Sequence, residues 1–109
     1  MSGGPQIMIR AVIRPEREAE VLGRLEAEGF YAMTKAPVLG RGEQRGIQVG
    51  AVSYDELAKL MLIVVVDETA LPRAVRAIEE GGRTGHHGDG KIFVQTVRES
   101  YTIRSGTRD

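Results

Sequence analysis

The sequence LAKLMLIVVV, from Leu57 to Val66, decides the fold class of this chain. Every residue from Leu60 to Val66 is apolar, and such a short run is typical of a strand that is covered on both faces. The run is far shorter than the ~20 residues that a membrane-spanning helix needs. We therefore predict a central β-strand in a soluble domain that does not insert into a membrane.

A strand, a helix and a second strand are predicted before this segment. Apolar residues alternate with others from Ile7 to Ile13, which is the period of a strand whose second face is partly apolar. Pro15 then opens a segment with acidic residues in its first turn and apolar residues at helical spacing, and Gly29 ends it. The stretch from Phe30 to Val38 has the pattern of the next strand.

The second half of the chain follows the same order. Thr69 is placed to cap a second helix, which we expect Gly81 and Gly82 to stop. Lys91 to Val97 is predicted to be the fourth strand, with a short extension at Tyr101 to Arg104. The second helix carries one apolar stripe, made by Leu71, Ala74, Val75 and Ile78.

This order of elements predicts an α+β fold, the ferredoxin-like βαββαβ sandwich, in which two helices cover one face of a four-stranded antiparallel sheet. Residues 1–109 form one domain, with a flexible N-terminus at 1–6, a mobile segment at 40–56 between the second and third strands, and a glycine loop at 83–91. Because two strands have apolar residues on both faces, we expect further copies of the chain to cover the open face.

Composition and charge exclude several classes of function. Hydrophobic residues make up 41% of the chain and charged residues 28%, as in an ordinary folded domain. Lys plus Arg and Asp plus Glu number 15 each, so no overall positive charge attracts nucleic acid. Cysteine is absent, which excludes disulfides and thiol chemistry. The short polar N-terminus is unlike a signal peptide, so we expect a cytoplasmic protein.

Two glycine-rich segments could bind phosphate. Gly85 to Lys91 (GHHGDGK) matches the first seven positions of a P-loop, but Ile92 replaces the magnesium-binding Ser or Thr, and the loop leads from helix to strand. We reject the P-loop, although its glycines still allow backbone N–H groups to approach an oxyanion beside a lysine. Gly40 to Gly46 (GRGEQRG) is only a weak match to a dinucleotide fingerprint. Ordinary glycine turns remain the alternative.

No catalytic or metal centre is evident. His86 and His87 are adjacent, so their side chains diverge, and solvated histidines are favoured over metal ligands. No nucleophile is paired with a base, which predicts that the protein is not an enzyme. A weak nucleotide hydrolase, with Asp89 or Glu43 placing water, is the alternative. Tyr54 is interpreted as an anchor at the loop base and not as a modified residue.

Four motifs together resemble the PII (GlnB-like) nitrogen regulatory family over nearly the whole chain. They are IRP at Ile13 to Pro15, GRGEQRG at Gly40 to Gly46, TGHHGDGKIFV at Thr84 to Val94, and the YTIRSG that follows. The sequence GIQVG with YDEL after it is most similar to the nitrogenase-associated branch of that family.

The resemblance implies a homotrimer that binds ATP or ADP in clefts between subunits and, with Mg²⁺ and ATP, binds 2-oxoglutarate. The first glycine segment would meet the second segment of the neighbouring subunit. Transferred by position, the nucleotide-binding residues are Met33, Thr34, Gly40, Gly42, Gln44, Thr84, Gly88, Asp89, Gly90, Lys91 and Arg104. Those for 2-oxoglutarate are Gln44, Arg45, Gly46 and Lys59, and Gln44 would also ligate the Mg²⁺.

The branch implies a regulator that binds the dinitrogenase component of nitrogenase, as a homotrimer or as a hetero-oligomer with a second PII-like subunit. The alternatives are control of an ammonium channel or of glutamine synthetase, and a purely structural assembly protein. Some residues depart from the family pattern. The loop lacks the tyrosine that is uridylylated in the family. Glu43 and Thr102 replace arginines, which predicts weaker phosphate binding or an altered preference between ATP and ADP. Ile63 replaces an acidic residue near the ribose.

Overall fold

The computed structural model describes residues 4–41, 47–49, 52–54 and 56–109. The helices are α1 (Glu18–Ala27) and α2 (Leu71–Gly82). The strands are β1 (Gln6–Ile13), β2 (Thr34–Gly40), β3 (Ile47–Val49), β4 (Val52–Tyr54), β5 (Leu57–Asp67), β6 (Gly90–Val97), β7 (Tyr101–Thr102) and β8 (Thr107–Arg108). Strands β2, β5, β1 and β6 form, in that order, a four-stranded sheet in which all neighbours are antiparallel. The predicted ferredoxin-like fold is confirmed.

The core lies between one face of this sheet and the two helices. Alternate residues of β1 and β5 are buried on that face, where they meet the apolar sides of α1 and α2. The fully buried side chains include those of Ile9, Val21, Leu25, Leu62, Val64 and Ile78. The apolar periodicity of the sequence therefore identified the residues that hold the fold together.

The other face of the sheet is not covered within one chain. The prediction that the strand at Leu57 to Val66 is covered on both faces holds for one face only, since Val65 is 43% exposed and Phe93 is 56% exposed. The strand registers place a set of apolar side chains together on this open face: Met8, Val12, Met61, Ile63, Val65 and Phe93.

The second strand starts later than predicted. It runs over Thr34–Gly40, so the segment from Phe30 to Met33 is not part of it. Phe30 instead closes α1, because its N–H donates to the Leu25 carbonyl at 2.9 Å and its ring packs against the core. The guanidinium of Arg73 lies 5.1 Å from the centre of that ring. Phe30, the first residue of the predicted strand, therefore stabilises the C-terminal end of α1.

The predicted start of α2 is wrong, and its predicted end is confirmed. Thr69 lies within a 3₁₀ turn before the helix, and Ala70 occupies the capping position without a side-chain hydrogen bond. Gly81 and Gly82 are buried and are the last two residues of α2, so the helix ends where the sequence predicted. A Cβ on Gly81 would lie 2.8 Å from the Cα of Val21, so glycine is needed there because α1 and α2 approach closely.

The loop predicted at 40–56 contains a short hairpin, since β3 pairs with β4. Residues 42–46, 50–51 and 55 lie outside the described part of the chain. The predicted C-terminal extension is also a hairpin, of β7 with β8. At the other end, β1 begins at Gln6, which the sequence placed in the flexible N-terminus. No helix of the described residues is long and apolar enough to cross a membrane.

Candidate functional site

The strand registers bring the two glycine segments to the same end of the sheet. Gly40, at the end of β2, is opposite Leu57 at the start of β5. Ile13, at the end of β1, is opposite both Leu60 of β5 and Gly90 of β6. In an antiparallel sheet the end of one strand meets the start of the next. The segment that follows Gly40 and the segment that precedes Gly90 therefore leave the sheet at the same end.

Lys59 joins the two segments directly. Its ammonium donates a hydrogen bond to the Gly88 carbonyl. A Cβ on Gly40 would lie 3.1 Å from the Cγ of Lys59, so Gly40 and Lys59 are in close contact. The base of the first glycine segment thus lies beside the second segment of the same chain. The expectation that the neighbouring subunit also contributes a glycine segment stays a prediction.

Asp89 organises the second glycine segment from inside. Its carboxylate accepts hydrogen bonds from the Thr84 hydroxyl, from the backbone N–H groups of Thr84 and Gly85 at 2.8 and 2.9 Å, and from Arg14 Nε at 2.9 Å. The bond from the Thr84 hydroxyl is the main cause that lowers the pKa of Asp89 far below its usual range, and Arg14 and the two N–H groups lower it further. Asp89 is therefore an ionised structural group that closes the loop.

Arg14 is the residue that reasoning from the sequence missed. It follows β1 directly, and in addition to its bond to Asp89 it donates from Nη2 to the His87 carbonyl at 2.6 Å. Its side chain is only 22% exposed. The sequence offered one signal, the IRP motif in which Arg14 is the central residue. That motif did not show which part of the chain the side chain would contact.

The glycines at 88 and 90 are required by the backbone. Gly90 has a φ of 110° and Gly88 a φ of 97°, in the region that favours glycine. A Cβ on Gly90 would lie 1.7 Å from the Val12 carbonyl oxygen, which no relaxation of side chains could relieve. A Cβ on Gly88 would lie 3.2 Å from Arg14 Nη2. Because Gly88 has no side chain, its backbone can lie directly beside Arg14 and Lys59.

This end of the sheet carries positive charge and free donors. Lys91 is exposed, and within the described part of the chain its ammonium has no hydrogen bond or ion pair. The backbone N–H groups of His87, Gly88 and Asp89 likewise donate to no acceptor among the described residues. Such donors beside lysine and arginine suit an anion. Thr84, Gly88, Asp89, Gly90 and Lys91 thus lie in one loop, and their assignment to a nucleotide stays a prediction.

A cavity of about 410 Å³ borders the same loop on the helix side of the sheet. Its walls are formed by α2 and the start of β6, with apolar side chains from Val75, Ile78 and Ile92. Gly90 and Lys91 lie at its edge. The start of β6 is therefore accessible from this side as well.

Three further predicted residues that the structure describes, Met33, Thr34 and Arg104, lie outside this loop. Thr34 begins β2 and Gly40 ends it, so a strand rise of about 3.3 Å per residue separates them by about 20 Å. Met33 precedes Thr34 and packs against the core, and Arg104 lies exposed in the turn between β7 and β8. The other predicted residues, Gly42, Gln44, Arg45 and Gly46, lie outside the described residues.

No group of three or more His, Asp or Glu side chains among the described residues could hold a metal ion. His86 and His87 are exposed, which agrees with their interpretation as solvated loop residues. Gln44, the residue predicted to ligate Mg²⁺, lies outside the described residues.

Comparisons with known proteins show the family of the chain. The family model for "Nitrogen regulatory protein P-II" matches residues 6–107. The nitrogen fixation nifHD1 region GlnB-like protein 1 of Methanosarcina barkeri is 52% identical over 99 residues, which cover 91% of this chain and 94% of that protein. A protein of the same kind, from the nifHD region of Methanothermobacter marburgensis, is 49% identical over 98 residues, which cover 90% and 93% of the two chains.

A solved structure agrees in fold. The crystal structure of Arabidopsis thaliana PII bound to citrate matches with a TM-score of 0.80 and 31% identity, over 97% of this chain and 90% of that one. Both the sequence and the fold are therefore shared along almost the full length. The chain belongs to the nitrogen regulatory protein P-II family, in its branch of GlnB-like proteins from nitrogen fixation regions.

Proposed function

We propose that the chain is a P-II signalling protein of the cytoplasm that senses ATP or ADP together with 2-oxoglutarate and regulates nitrogen fixation by binding nitrogenase. P-II proteins are regulators, and the relatives of this chain are named for nitrogen fixation regions. The observation that carries the proposal is the convergence of Gly40, Lys59 and Gly88 at one end of the sheet.

The residues at this end fit a nucleoside di- or triphosphate. Glycines at 88 and 90 leave the backbone uncovered, free N–H groups are available, and Lys91 supplies an unpaired positive charge. A bound nucleotide would supply a polyphosphate whose negative charge these groups offset. We assign the phosphates to Gly40, Thr84, Gly88, Gly90 and Lys91, with Asp89 holding the loop. Gly42 and Gln44 belong to the same proposal, outside the described residues.

A trimer would complete the site. Met33, Thr34 and Arg104 lie apart from the glycine loop in one chain, so we propose that a neighbouring subunit supplies them. The open apolar face around Met61 and Phe93 supports such an assembly, because an uncovered apolar face of this kind is typical of a protein interface. The assembly would be a homotrimer, or a hetero-oligomer with a second P-II subunit.

Lys59 would connect the effector to the nucleotide loop. We propose that its ammonium binds a carboxylate of 2-oxoglutarate, next to Gln44, Arg45 and Gly46, with Mg²⁺ held by Gln44 and the ATP phosphates. A charged hydrogen bond of this kind contributes about 1.5–3 kcal/mol. Because the same ammonium donates to the Gly88 carbonyl, effector binding would compete with that contact and change the loop. The related Arabidopsis PII was solved with citrate, another polycarboxylate.

The target proposed is the dinitrogenase component of nitrogenase, with ATP and 2-oxoglutarate relieving its inhibition by reorganising residues 40–56. An ammonium channel and glutamine synthetase are the competing targets within the family. A weak hydrolase is disfavoured, since both carboxylate oxygens of Asp89 are occupied by Thr84, Gly85 and Arg14, and a general base needs a free one.

Calorimetric titration with ATP and ADP, each with and without Mg²⁺ and 2-oxoglutarate, tests the sensor. We expect nucleotide to bind alone and 2-oxoglutarate to bind only with Mg²⁺ and ATP. No heat in any combination would refute the nucleotide site and leave a structural assembly protein. Capture of purified dinitrogenase component, ammonium channel or glutamine synthetase on the immobilised protein identifies the target. Capture that is lost with Mg²⁺, ATP and 2-oxoglutarate supports nitrogenase, and retention of only another target refutes it.

A further inference from the structure

Two cations hold consecutive carbonyl groups of the glycine loop. Arg14 Nη2 binds the His87 carbonyl at 2.6 Å, and Lys59 binds the Gly88 carbonyl. In a trans peptide unit the carbonyl and the following N–H point in opposite directions. The N–H groups of Gly88 and Asp89 must therefore point away from Arg14 and Lys59 respectively. Neither N–H has an acceptor in the part of the chain that the structure describes.

Arg14 also removes an electrostatic conflict. Asp89 lies in the middle of a loop that is proposed to bind phosphates, where an uncompensated carboxylate would repel them. The Arg14 guanidinium forms an ion pair with this carboxylate at 2.9 Å, and the side chains are only 22% and 24% exposed. The forked guanidinium allows one residue to contact the carboxylate and the carbonyl together, which a lysine ammonium does less well.

We propose that Arg14 is a positioning residue for phosphate binding: through Asp89 and the His87 carbonyl, it orients the loop N–H groups towards the nucleotide and cancels the charge of Asp89. The proposal rests on the nucleotide site proposed above. Arg14 itself does not contact the phosphates. Its contribution comes from the shape and charge of the loop, which links the end of β1 to a segment more than 70 residues later in the chain.

The test compares Arg14→Gln, Asp89→Asn, the double variant Arg14→Gln/Asp89→Asn, and Arg76→Gln as a matched control. Arg76 is an exposed arginine on α2 for which the described part of the chain offers no side-chain partner. ATP affinity is measured by calorimetry, and hydrogen exchange of the segment 84–90 is measured in the ligand-free proteins by mass spectrometry.

We expect Arg14→Gln to weaken ATP binding by about tenfold or more, the size of one charged hydrogen bond. The double variant should bind ATP more tightly than Arg14→Gln, because the uncompensated carboxylate is gone. Arg76→Gln should bind as the wild type does. A merely structural role for Arg14 would not produce this recovery. Equal affinity of Arg14→Gln and the wild type, or no recovery in the double variant, would overturn the proposal.

Hydrogen exchange separates this inference from the proposed function. Arg14→Gln should raise exchange in the segment 84–90, and Arg76→Gln should not. If the wild type binds no ATP, the nucleotide site fails, and raised exchange in Arg14→Gln still supports the positioning of the loop. Unchanged exchange in that variant would refute the positioning role independently of any ligand.

Discussion

Replacing Gly90 by alanine tests whether the glycine loop is built as described. The new Cβ would lie 1.7 Å from the Val12 carbonyl oxygen, whereas Cβ atoms essentially never approach other atoms to under 3.0 Å. The start of β6 must therefore move away from β1 by more than an ångström. Gly85→Ala is the matched control, because Gly85 also has a positive φ, of 88°, but has open space around it.

The structure allows the size of both effects to be worked out. The left-handed conformation costs an alanine about 1–2 kcal/mol at either position. At Gly90 the displacement should also weaken the pairing of Gly90 with Ile13, at about 1 kcal/mol for each hydrogen bond, and expose part of the buried Ile13 side chain. We expect Gly90→Ala to lower the free energy of unfolding by about 3–5 kcal/mol, and Gly85→Ala by about 1–2 kcal/mol.

Thermal and urea unfolding followed by circular dichroism measures this difference at one protein concentration. For a domain of this size the extra loss corresponds to a melting temperature lower by roughly 10 °C in Gly90→Ala than in Gly85→Ala. Concentration is held constant because assembly stabilises the folded state. Equal losses in the two variants would mean that β6 can separate from β1 freely, and the described approach of Gly90 to Val12 would be refuted.

Three further predictions follow from the fold. Asp89 has a folded-state pKa below its ordinary 3.8, so its contribution to stability is present above that value and is lost as the pH falls below it. The difference in free energy of unfolding between wild type and Asp89→Asn, measured with urea, should therefore shrink below about pH 4 and not above it. Gly81→Ala should destabilise the protein because the new Cβ would force α1 away from α2. Gly23→Ala, in open space on α1, is the control and should stabilise the protein by up to about 1 kcal/mol. Equal melting temperatures of the two variants would contradict the close packing of the helices. Phe93→Asp should dissociate the proposed assembly, and light scattering should then report the mass of a single chain. A mass equal to that of the wild-type assembly would show that the open face is not the interface.

Arg14, Asp89 and Lys59 would link the two ligands of the proposed function. Lys59 contacts the loop from the side of β5, and Arg14 contacts it from the end of β1. A ligand that draws Lys59 away leaves the loop held by Arg14 and Asp89 alone. The glycine loop is then the one element whose position both proposed ligands influence.

The sequence alone determined the element order, the buried face and the family. Strands at Ile7 to Ile13 and Leu57 to Val66 were predictable because side-chain periodicity is a local property, and burial of one face follows directly from it. The glycine loop from Thr84 to Lys91 was recognised because its residue types and spacing carry a physical requirement for close backbone approach.

Only the tertiary structure decided which parts of the chain meet. Gly81 was correctly placed at the end of a helix, but its close approach to Val21 depends on how α1 packs on α2, which the local sequence does not show. Arg14 and Asp89 are separated by 75 positions, and their contact depends on the antiparallel register of β1 with β6. The same register, with that of β5, brings Gly40 and Gly88 into contact with Lys59. Register is a property of paired strands, so no single segment of sequence could specify it.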